Sequence, residues 1–312
     1  EVLREIAQIH SKKPIVVIDE FDRIQSKTER SLFADLVKQL GDKRISIKFI
    51  FTGVGNSLTE LLDSHHSAIR QFETIELPRL SWDARWNIAL NAVEAFDINL
   101  NRNIYVNIAA VSDGFPQYVH LLTEKILRQI YKEKDIVKNV DWKHFYTGLN
   151  LAINSITGDL AIDYQKAVSN KSDNFEFVLW STAADEDRHM HLSSMYYYYK
   201  DIMEQVKEIG LNSEIKTLDY DKFCTRIRDL RKLSNGEILL PSYKKGIYTH
   251  REQFFKGFVR MQAETHGIQL HSKHVDPEIK LHMKIPASVR KGYYTSMVPP
   301  GVNTKKPIRS VI

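Results

Sequence analysis

The first 80 residues alternate between short apolar runs and amphipathic stretches. Residues 15–18 are four β-branched residues in a row, and the run ends at once in Asp19 and Glu20. A continuous apolar run of this length, bounded by polar residues, is typical of a strand buried on both faces of a parallel sheet. We therefore predict a first buried strand whose end carries two adjacent carboxylates.

A helix and further strands follow in alternation. Apolar residues recur with helical spacing over residues 26–40, and Gly41 is expected to end that helix. Residues 45–52 favour a second buried strand, and residues 72–77 favour a third. Strands that alternate with helices predict an α/β unit built on a parallel sheet over residues 1–80.

The pattern becomes all-helical from residue 81 to residue 150. Ser81 has the character of an N-cap, and residues 104–111 and 118–131 form two further amphipathic segments. We predict an all-α subdomain in this range. Residues 151–173 are mixed in pattern and are assigned to a linker.

Residues 174–268 predict a third unit, which contains three helical segments and then two short strands. These segments cover residues 175–182, 192–206, 220–233, 238–240 and 247–249. Three helices followed by a two-stranded hairpin is a winged-helix pattern. Residues 269–312 are basic, contain five prolines and show no periodicity, so we expect an extended or disordered tail.

Composition narrows the class of protein. The chain has 312 residues, of which 43% are hydrophobic and 27% charged, as is ordinary for a globular protein. Its single cysteine, Cys224, excludes an internal disulfide and a cysteine-based zinc site. No apolar run approaches the ~18–20 residues that span a bilayer, and the first residues of the sequence do not show the pattern of a signal peptide. We therefore expect a cytoplasmic protein with no membrane partner and, because Glu1 is not a methionine, part of a longer chain.

Positive charge is concentrated in the C-terminal third. The formal net charge is +5, and residues 271–312 alone contain eight basic residues against two acidic ones. Residues 220–260 contain ten basic and four acidic residues. A polyanion, if one binds, is expected to bind in this part of the chain.

Asp19 and Glu20 are the first candidate catalytic residues. The carboxyl ends of parallel strands line the ligand crevice of α/β proteins. An aspartate there can bind Mg²⁺ through water, and an adjacent glutamate can polarise the water that attacks a phosphoryl group. The alternative is a solvated turn. We favour catalysis because two carboxylates directly after four apolar residues are costly without such a role.

Three later residues are candidates for the same site. Thr52 and Asn56 follow the second predicted strand, so a parallel sheet would bring them beside Asp19, where they could position water or a γ-phosphate. Arg70 precedes the third predicted strand and could reach the nucleotide of a neighbouring subunit. Ordinary turn chemistry for the first two, and a surface arginine for the third, are equally open.

One motif expected beside such a site does not occur in these 312 residues. No GxxxxGK[ST] sequence is present, so the chain lacks the loop that cradles the β- and γ-phosphates of ATP. That loop normally precedes this strand, which would place it upstream of Glu1. We therefore expect the chain by itself not to hydrolyse ATP.

The segment KPIVVIDEFDRI (13–24) resembles the Walker B segment of AAA+ ATPases. Its combination with FIFTGVGNS (49–57), HHSAIRQFETIELPRLS (65–81) and SDGFPQYVHLL (112–122) resembles the origin-recognition/cell-division-control initiator branch, particularly its bacterial relatives. The resemblance covers residues 1–150 and, more loosely, the winged helix. It implies a partial P-loop-type AAA+ core followed by a helical nucleotide lid.

The resemblance also implies roles for individual residues. Asp19 and Glu20 match the Walker B pair, Thr52 or Asn56 matches the sensor-1 position, and Arg70 matches the arginine finger. The implied cofactors are ATP and Mg²⁺. The implied partners are DNA and further copies of the protein that share ATP sites.

Two features depart from related patterns. Gln117 follows Gly-Phe-Pro at a cofactor-binding position where the lid motif of this family often has an arginine that contacts the γ-phosphate. The sequence DEFD also resembles the DEAD-box helicases, but their arginine-rich second domain does not follow. The initiator-type AAA+ interpretation is therefore favoured over a helicase.

The helix predicted over residues 220–233 is the candidate DNA-binding element. It has one apolar face and one basic face, as a recognition helix requires, and the hairpin after it would place cations on flanking phosphates. The candidate DNA-binding residues are Lys222, Arg226, Arg228, Arg231, Lys232, Lys244, Lys245 and Arg251. The alternative, from a different functional class, is a non-hydrolysing scaffold whose winged helix binds protein.

Overall fold

The structure is a computed structural model of the 312-residue chain. It describes residues 2–9, 14–24, 26–53, 72–75, 77–156, 158–169, 171–172, 174–211, 215–242 and 244–270. The chain divides after Pro78 into two compact units. Each unit is presented separately below.

The described residues of the first unit form two parallel strands and two α-helices. Helix α1 covers Val2–Ile9, strand β1 covers Ile15–Ile18, helix α2 covers Lys27–Asp42 and strand β2 covers Lys48–Phe51. Strands β1 and β2 pair in parallel, with Ile15 opposite Lys48 and Ile18 opposite Phe51. The predicted parallel arrangement is thus confirmed for the first two strands.

One face of this sheet packs on an aromatic cluster. Phe21 is almost completely buried, and its ring makes edge-on contacts with Phe33 of α2 and Phe51 of β2 at centroid distances of 5.4 and 4.9 Å. Such contacts stabilise beyond the area that they bury. This cluster places the chain immediately after β1 against the end of β2.

Three predictions for the first unit are wrong in detail. The sheet is not buried on both faces, because Ile15 and Val17 are 58% and 60% exposed. Gly41 does not end α2, which continues to Asp42. The third strand predicted over residues 72–77 is absent from the part of it that is described, residues 72–75 and Leu77.

The second unit begins with four helices. They are α3 (Trp82–Glu94), α4 (Arg102–Val111), α5 (Pro116–Tyr131) and α6 (Trp142–Ser155), here called the α3–α6 bundle. Two short parallel strands, β3 (Asn99–Leu100) and β4 (Asn139–Val140), join the loops between them. The Ser81 hydroxyl accepts a hydrogen bond from the Ala84 amide at 3.3 Å, so the predicted N-cap of α3 is present.

The rest of the second unit is here called the C-terminal subdomain. Its elements are α7 (Asp159–Val168), α8 (Asn174–Ser181), β5 (Met190–His191), α9 (Leu192–Glu208), α10 (Tyr220–Asp229), β6 (Leu239–Pro241), β7 (Ile247–His250) and α11 (Phe255–Thr265). The three strands form an antiparallel sheet in the order β5-β7-β6. Its core includes Trp180, Tyr199, Phe223 and Phe258, all fully buried.

The C-terminal subdomain differs from the sequence prediction in two places. Residues 151–173 are not a plain linker, because they contain the end of α6 and helix α7, whose Tyr164 and Ala167 belong to the core. Helix α10 ends at Asp229, so Arg231 and Lys232 lie in the turn beyond it. The tail predicted from residue 269 falls, after Leu270, outside the described residues.

None of the described helices is both long enough and apolar enough to cross a membrane.

Candidate functional site

The ends of β1 and β2 are joined by backbone and side-chain hydrogen bonds. The Thr52 amide donates to the Ile18 carbonyl at 3.0 Å, and the Phe21 amide donates to the Thr52 carbonyl at 2.8 Å. The Thr52 hydroxyl donates to Oδ1 of Asp19. The structure therefore brings together the aspartate and the threonine that the sequence places 33 residues apart.

Glu20 adopts a left-handed backbone conformation beside Asp19. Its φ is 53°, which is uncommon for a residue other than glycine, and its amide donates to Oδ1 of Asp19 at 2.9 Å. The Glu20 carboxylate pairs with Arg23 at 2.9 Å, and both side chains are more than half exposed. Sequence reasoning did not identify Arg23, although its three-residue spacing from Glu20 in the DEFDR segment could have suggested the pair.

Asp19 is ionised and open to solvent. The Thr52 hydroxyl and the Glu20 amide lower the pKa of its carboxyl group below the ordinary value. Both hydrogen bonds end on Oδ1, and the side chain is exposed. An exposed carboxylate oxygen is the type of ligand that Mg²⁺ binds, directly or through water. The residues present therefore fit a magnesium ion.

Gly53 approaches this turn closely. A Cβ atom at Gly53 would lie 2.7 Å from Oδ1 of Asp22 and 3.2 Å from the Asp22 amide nitrogen. The glycine therefore lets the segment after β2 pack directly against the segment after β1.

The remaining residues predicted for this site belong to other parts of the chain. Asn56 and Arg70 lie outside the described residues. Gln117 belongs to the second unit, where its exposed side chain lies in the first turn of α5, next to Pro116 at the helix start.

The predicted DNA-binding residues of α10 lie on the exposed side of a buried stripe. Phe223 and Ile227 are fully buried, whereas Lys222 and Arg228 are exposed. This is the division that the sequence predicted for the helix. The apolar stripe anchors α10 in the subdomain and leaves its basic side chains at the surface.

Acidic neighbours partly neutralise the basic residues of α10. Lys222 pairs with Asp219 at 3.1 Å, and Asp229 pairs with Lys232 at 2.7 Å and with Arg226 at 3.8 Å. Each of these contacts is partly exposed, where an ion pair contributes little to stability. The carboxylates nevertheless reduce the positive potential of this surface.

Aromatic rings support two of the arginines in this region. The guanidinium of Arg226 lies 4.4 Å from the centroid of the Phe175 ring, and that of Arg231 lies 5.7 Å from the Tyr248 ring. Arg228 instead donates to the Thr225 hydroxyl at 3.0 Å.

The three cations of the hairpin region have different surroundings. Lys244 and Lys245 are exposed in the turn between β6 and β7. Arg251 follows β7 and pairs with the buried Asp163 of α7 and, at 3.6 Å, with Glu237. Arg251 therefore ties the hairpin to α7, a contact that its sequence position does not reveal.

Comparison with known proteins gives limited similarity. No family model and no curated protein matches the chain. Among solved structures, the chain is similar to Cdc6p from Pyrobaculum aerophilum, with 12% identity and a TM-score of 0.38 over 85% of this chain and 70% of that one.

Two further structures show the same degree of similarity. The Holliday junction branch migration motor RuvB from Thermotoga maritima has 14% identity and a TM-score of 0.37, over 80% of this chain and 72% of that one. The Aeropyrum pernix Orc1 protein, in complex with DNA, has 12% identity and a TM-score of 0.39, over 84% of this chain and 66% of that one. Similarity at this level assigns neither family nor activity, so function is inferred below from the residues of this chain.

Proposed function

We propose that the chain is the later part of an AAA+ ATPase of initiator type, which binds or remodels DNA under the control of ATP. The observation that supports this most strongly is the hydrogen bond between Thr52 and Asp19 at the ends of two parallel strands. It joins the two positions that the Walker B and sensor-1 resemblance pairs. A solvated turn after β1 would not require this contact.

Three residues at the ends of β1 and β2 each have a specific role in the proposal. Asp19, whose lowered pKa keeps it ionised, would bind Mg²⁺ through water. Thr52 orients the Asp19 carboxylate, and the carboxylate of Glu20 would accept a proton from the attacking water. When bound, the metal would neutralise charge on the phosphates.

In this scheme, the Glu20 carboxylate must separate from Arg23 before it can act as a base. The Glu20–Arg23 pair turns the carboxylate toward the segment 21–23 in the present structure. Because the pair is exposed, little free energy opposes its separation. We propose that nucleotide and water compete with Arg23 for the Glu20 carboxylate.

ATP hydrolysis tests the catalytic part of the proposal. The gene would first be sequenced upstream of the Glu1 codon for a GxxxxGK[ST] motif, and the longer protein assayed for DNA-stimulated ATPase activity. We expect Glu20→Gln to reduce kcat by at least 10²-fold while ATP still binds, because a general base contributes 10²–10⁴-fold. Asp35→Asn, an acidic change on α2, is the matched control. An unchanged rate in Glu20→Gln would exclude Glu20 as the catalytic base.

We propose further that the C-terminal subdomain is a winged helix. Its order is helix α8, strand β5, helices α9 and α10, then strands β6 and β7 joined by a turn. The strand order β5-β7-β6 agrees with this topology. Helix α10 would then be the recognition helix and the turn with Lys244 and Lys245 the wing.

Salt dependence of DNA binding tests this second part. Each phosphate contact contributes about −0.9 to the slope of log K against log salt concentration on duplex DNA. We expect Lys245→Gln to make the slope shallower by about that amount, and Arg228→Gln to weaken binding as well. Lys143→Gln, an exposed change on α6, is the control. Equal slopes for all three variants would contradict the assigned surface.

A protein-binding scaffold is the second candidate function. It is favoured by the carboxylates of Asp219 and Asp229, which pair with Lys222, Arg226 and Lys232 and so reduce the charge available to phosphates. Under this alternative, the chain binds duplex DNA weakly with a shallow salt slope, and the longer protein has no ATPase activity that depends on Glu20.

A further inference from the structure

A cluster of buried charges lies where the α3–α6 bundle meets α11. Its centre is Asp113, in the turn between α4 and α5, whose side chain is only 2% exposed. Asp113 pairs with Arg79, with Arg260 at 3.3 Å and with Lys256 at 4.0 Å. Arg260 and Lys256 belong to α11, so the bundle supplies the anion and the C-terminal subdomain supplies two of the cations.

Arg260 connects three parts of the second unit. Its guanidinium donates to the carbonyl of Ala110 at the end of α4 at 3.0 Å. It also donates to the carbonyls of Ala183 and Asp185, in the loop after α8, at 2.8 and 2.7 Å. Because the planar guanidinium has donors in fixed directions, these contacts determine the position of α11 in several directions at once.

Lys256 extends the same network. Its ammonium group donates to the Asp187 carbonyl at 2.9 Å. Burial lowers the pKa of Lys256 to about 8, although Asp113 opposes that shift. Burial would raise the pKa of Asp113, but Arg260, Lys256, Arg79 and Arg85 outweigh it and keep that pKa below the ordinary value.

The α3–α6 bundle and α11 are also packed tightly against each other beside the cluster. A Cβ atom at Gly257 would lie 2.6 Å from the Tyr118 ring of α5. The Tyr118 hydroxyl donates to the Phe254 carbonyl at 2.9 Å, and the centroids of the Phe115 and Phe254 rings lie 4.4 Å apart. The two sides are therefore joined by polar bonds that are surrounded by tightly packed rings.

Buried ion pairs are an expensive way to stabilise an interface, because each charge loses its hydration. Apolar side chains of similar volume often give equal or greater stability, but the hydrophobic effect has no direction of its own. A buried carboxylate with several cations around it has one satisfied arrangement. The value of such a cluster is therefore the definition of one orientation, whereas subdomains within a chain ordinarily move relative to each other.

We propose that Asp113 is a positioning residue that fixes the C-terminal subdomain in one orientation on the α3–α6 bundle, so that the two move as one body. If the proposed function is correct, on which this consequence rests, a nucleotide-driven displacement of the bundle would carry α10 and the hairpin with it. The orientation itself does not depend on that function.

Distances between spin labels test the orientation directly. In a Cys224→Ser background, one pair of labels would join Arg128→Cys on α5 to Lys207→Cys on α9, and a reference pair would join Arg128→Cys to Asp83→Cys on α3. All three positions are exposed. We expect the distribution of label-to-label distances for the first pair, residues 128 and 207, to be as narrow as that for the reference pair, residues 128 and 83. A markedly broader or multimodal first distribution would overturn the proposal without any further variant.

Two substitutions then test Asp113. Asp113→Asn removes the central charge and is expected to broaden or shift the first distribution, with the reference pair unchanged. Asp113→Glu keeps the charge and is the variant to use if Asp113→Asn does not fold. Its longer side chain moves the carboxylate, so the mean distance of the first label pair should shift. Glu94→Gln removes an exposed carboxylate at the end of α3 and is expected to change neither pair. A folded Asp113 variant with both distributions unchanged would exclude a positioning role.

DNA binding separates this inference from the proposed function. The unlabelled Asp113 variants keep every basic residue of α10, so they should bind duplex DNA as the parent chain does. Failure of the parent chain to bind DNA would contradict the proposed function, while the label distances would still decide the role of Asp113.

Discussion

Three acidic residues show how the surroundings of a carboxylate determine what it can do. Asp19 is exposed, and hydrogen bonds from Thr52 and Glu20 keep it ionised. Asp113 is buried, but cations surround it and also keep it ionised. Glu264 of α11 is buried with the Tyr146 hydroxyl at 3.5 Å, and burial raises its pKa to about 8. Of these three residues, only Asp19 is both ionised and accessible to a ligand.

The pKa of Glu264 predicts a specific pH dependence of stability. The ordinary pKa is 4.5 and the folded value is about 8, so between these pH values the folded chain binds one more proton than the unfolded chain. The free energy of unfolding should therefore fall as pH rises through this window, by up to about 1.4 kcal/mol per pH unit from this group. Below pH 4.5 and above pH 8 its contribution should be constant.

Glu264→Gln, which is neutral at every pH, isolates this contribution. Relative to the parent chain, we expect the variant to gain stability progressively from pH 4.5 to pH 8, as measured by urea denaturation at a series of pH values. Glu124→Gln, at an exposed position, should show no such trend. A difference between Glu264→Gln and the parent that does not vary with pH would mean that Glu264 is ionised in the folded chain.

At the scale of elements, local signals define where the first three helices of the second unit begin. Ser81 caps α3, Asn101 caps α4 by accepting from the Asn103 amide at 2.9 Å, and Pro116 occupies the first position of α5. Each satisfies or removes backbone donors that the first turn of a helix leaves unpaired. These helices therefore have starting points that neighbouring residues specify.

Replacing Ser81 measures the contribution of one cap. Ser81→Ala removes the acceptor of the Ala84 amide and should lower the free energy of unfolding by about 1 kcal/mol. Ser81→Asn keeps an acceptor and should remain close to the parent chain. Urea denaturation of the three proteins provides the comparison, and equal losses in the two variants would show that the cap contributes nothing.

At the scale of the whole molecule, each of the two units has an apolar core of its own. Phe21 and Ala34 form the cluster of the first unit. Among the described residues, three other clusters of buried residues belong to the second unit, and two of them centre on the α3–α6 bundle and the C-terminal subdomain. A unit with its own core can in principle fold alone.

A fragment of residues 79–270 should therefore fold without the first unit. We expect a cooperative thermal transition by circular dichroism and a dispersed amide spectrum by NMR. The same fragment with Arg79→Gln loses the pair of Arg79 with the buried Asp113 and should melt at a lower temperature. Equal melting temperatures for the two fragments would show that the Arg79–Asp113 pair has no net effect.

The sequence by itself determined the elements whose signals are local. The apolar run before Asp19, the N-cap at Ser81 and the buried stripe of α10 each depend on residues within a few positions of one another, and each predicted the element that is present. Pairs of strands were also predictable, because alternation of strand and helix favours parallel pairing. Asp19 and Thr52 followed from that pairing.

Tertiary structure alone decided the features that join distant residues. The pairs of Asp113 with Arg260, and of Arg251 with Asp163, each join residues that are more than 80 positions apart, and their sequence neighbours give no sign of the partner. Helix α7 inside the predicted linker and the exposed face of β1 depend likewise on what the rest of the chain covers. Burial is a property of the packed molecule, so a sequence pattern can indicate which face is apolar but not what lies against it.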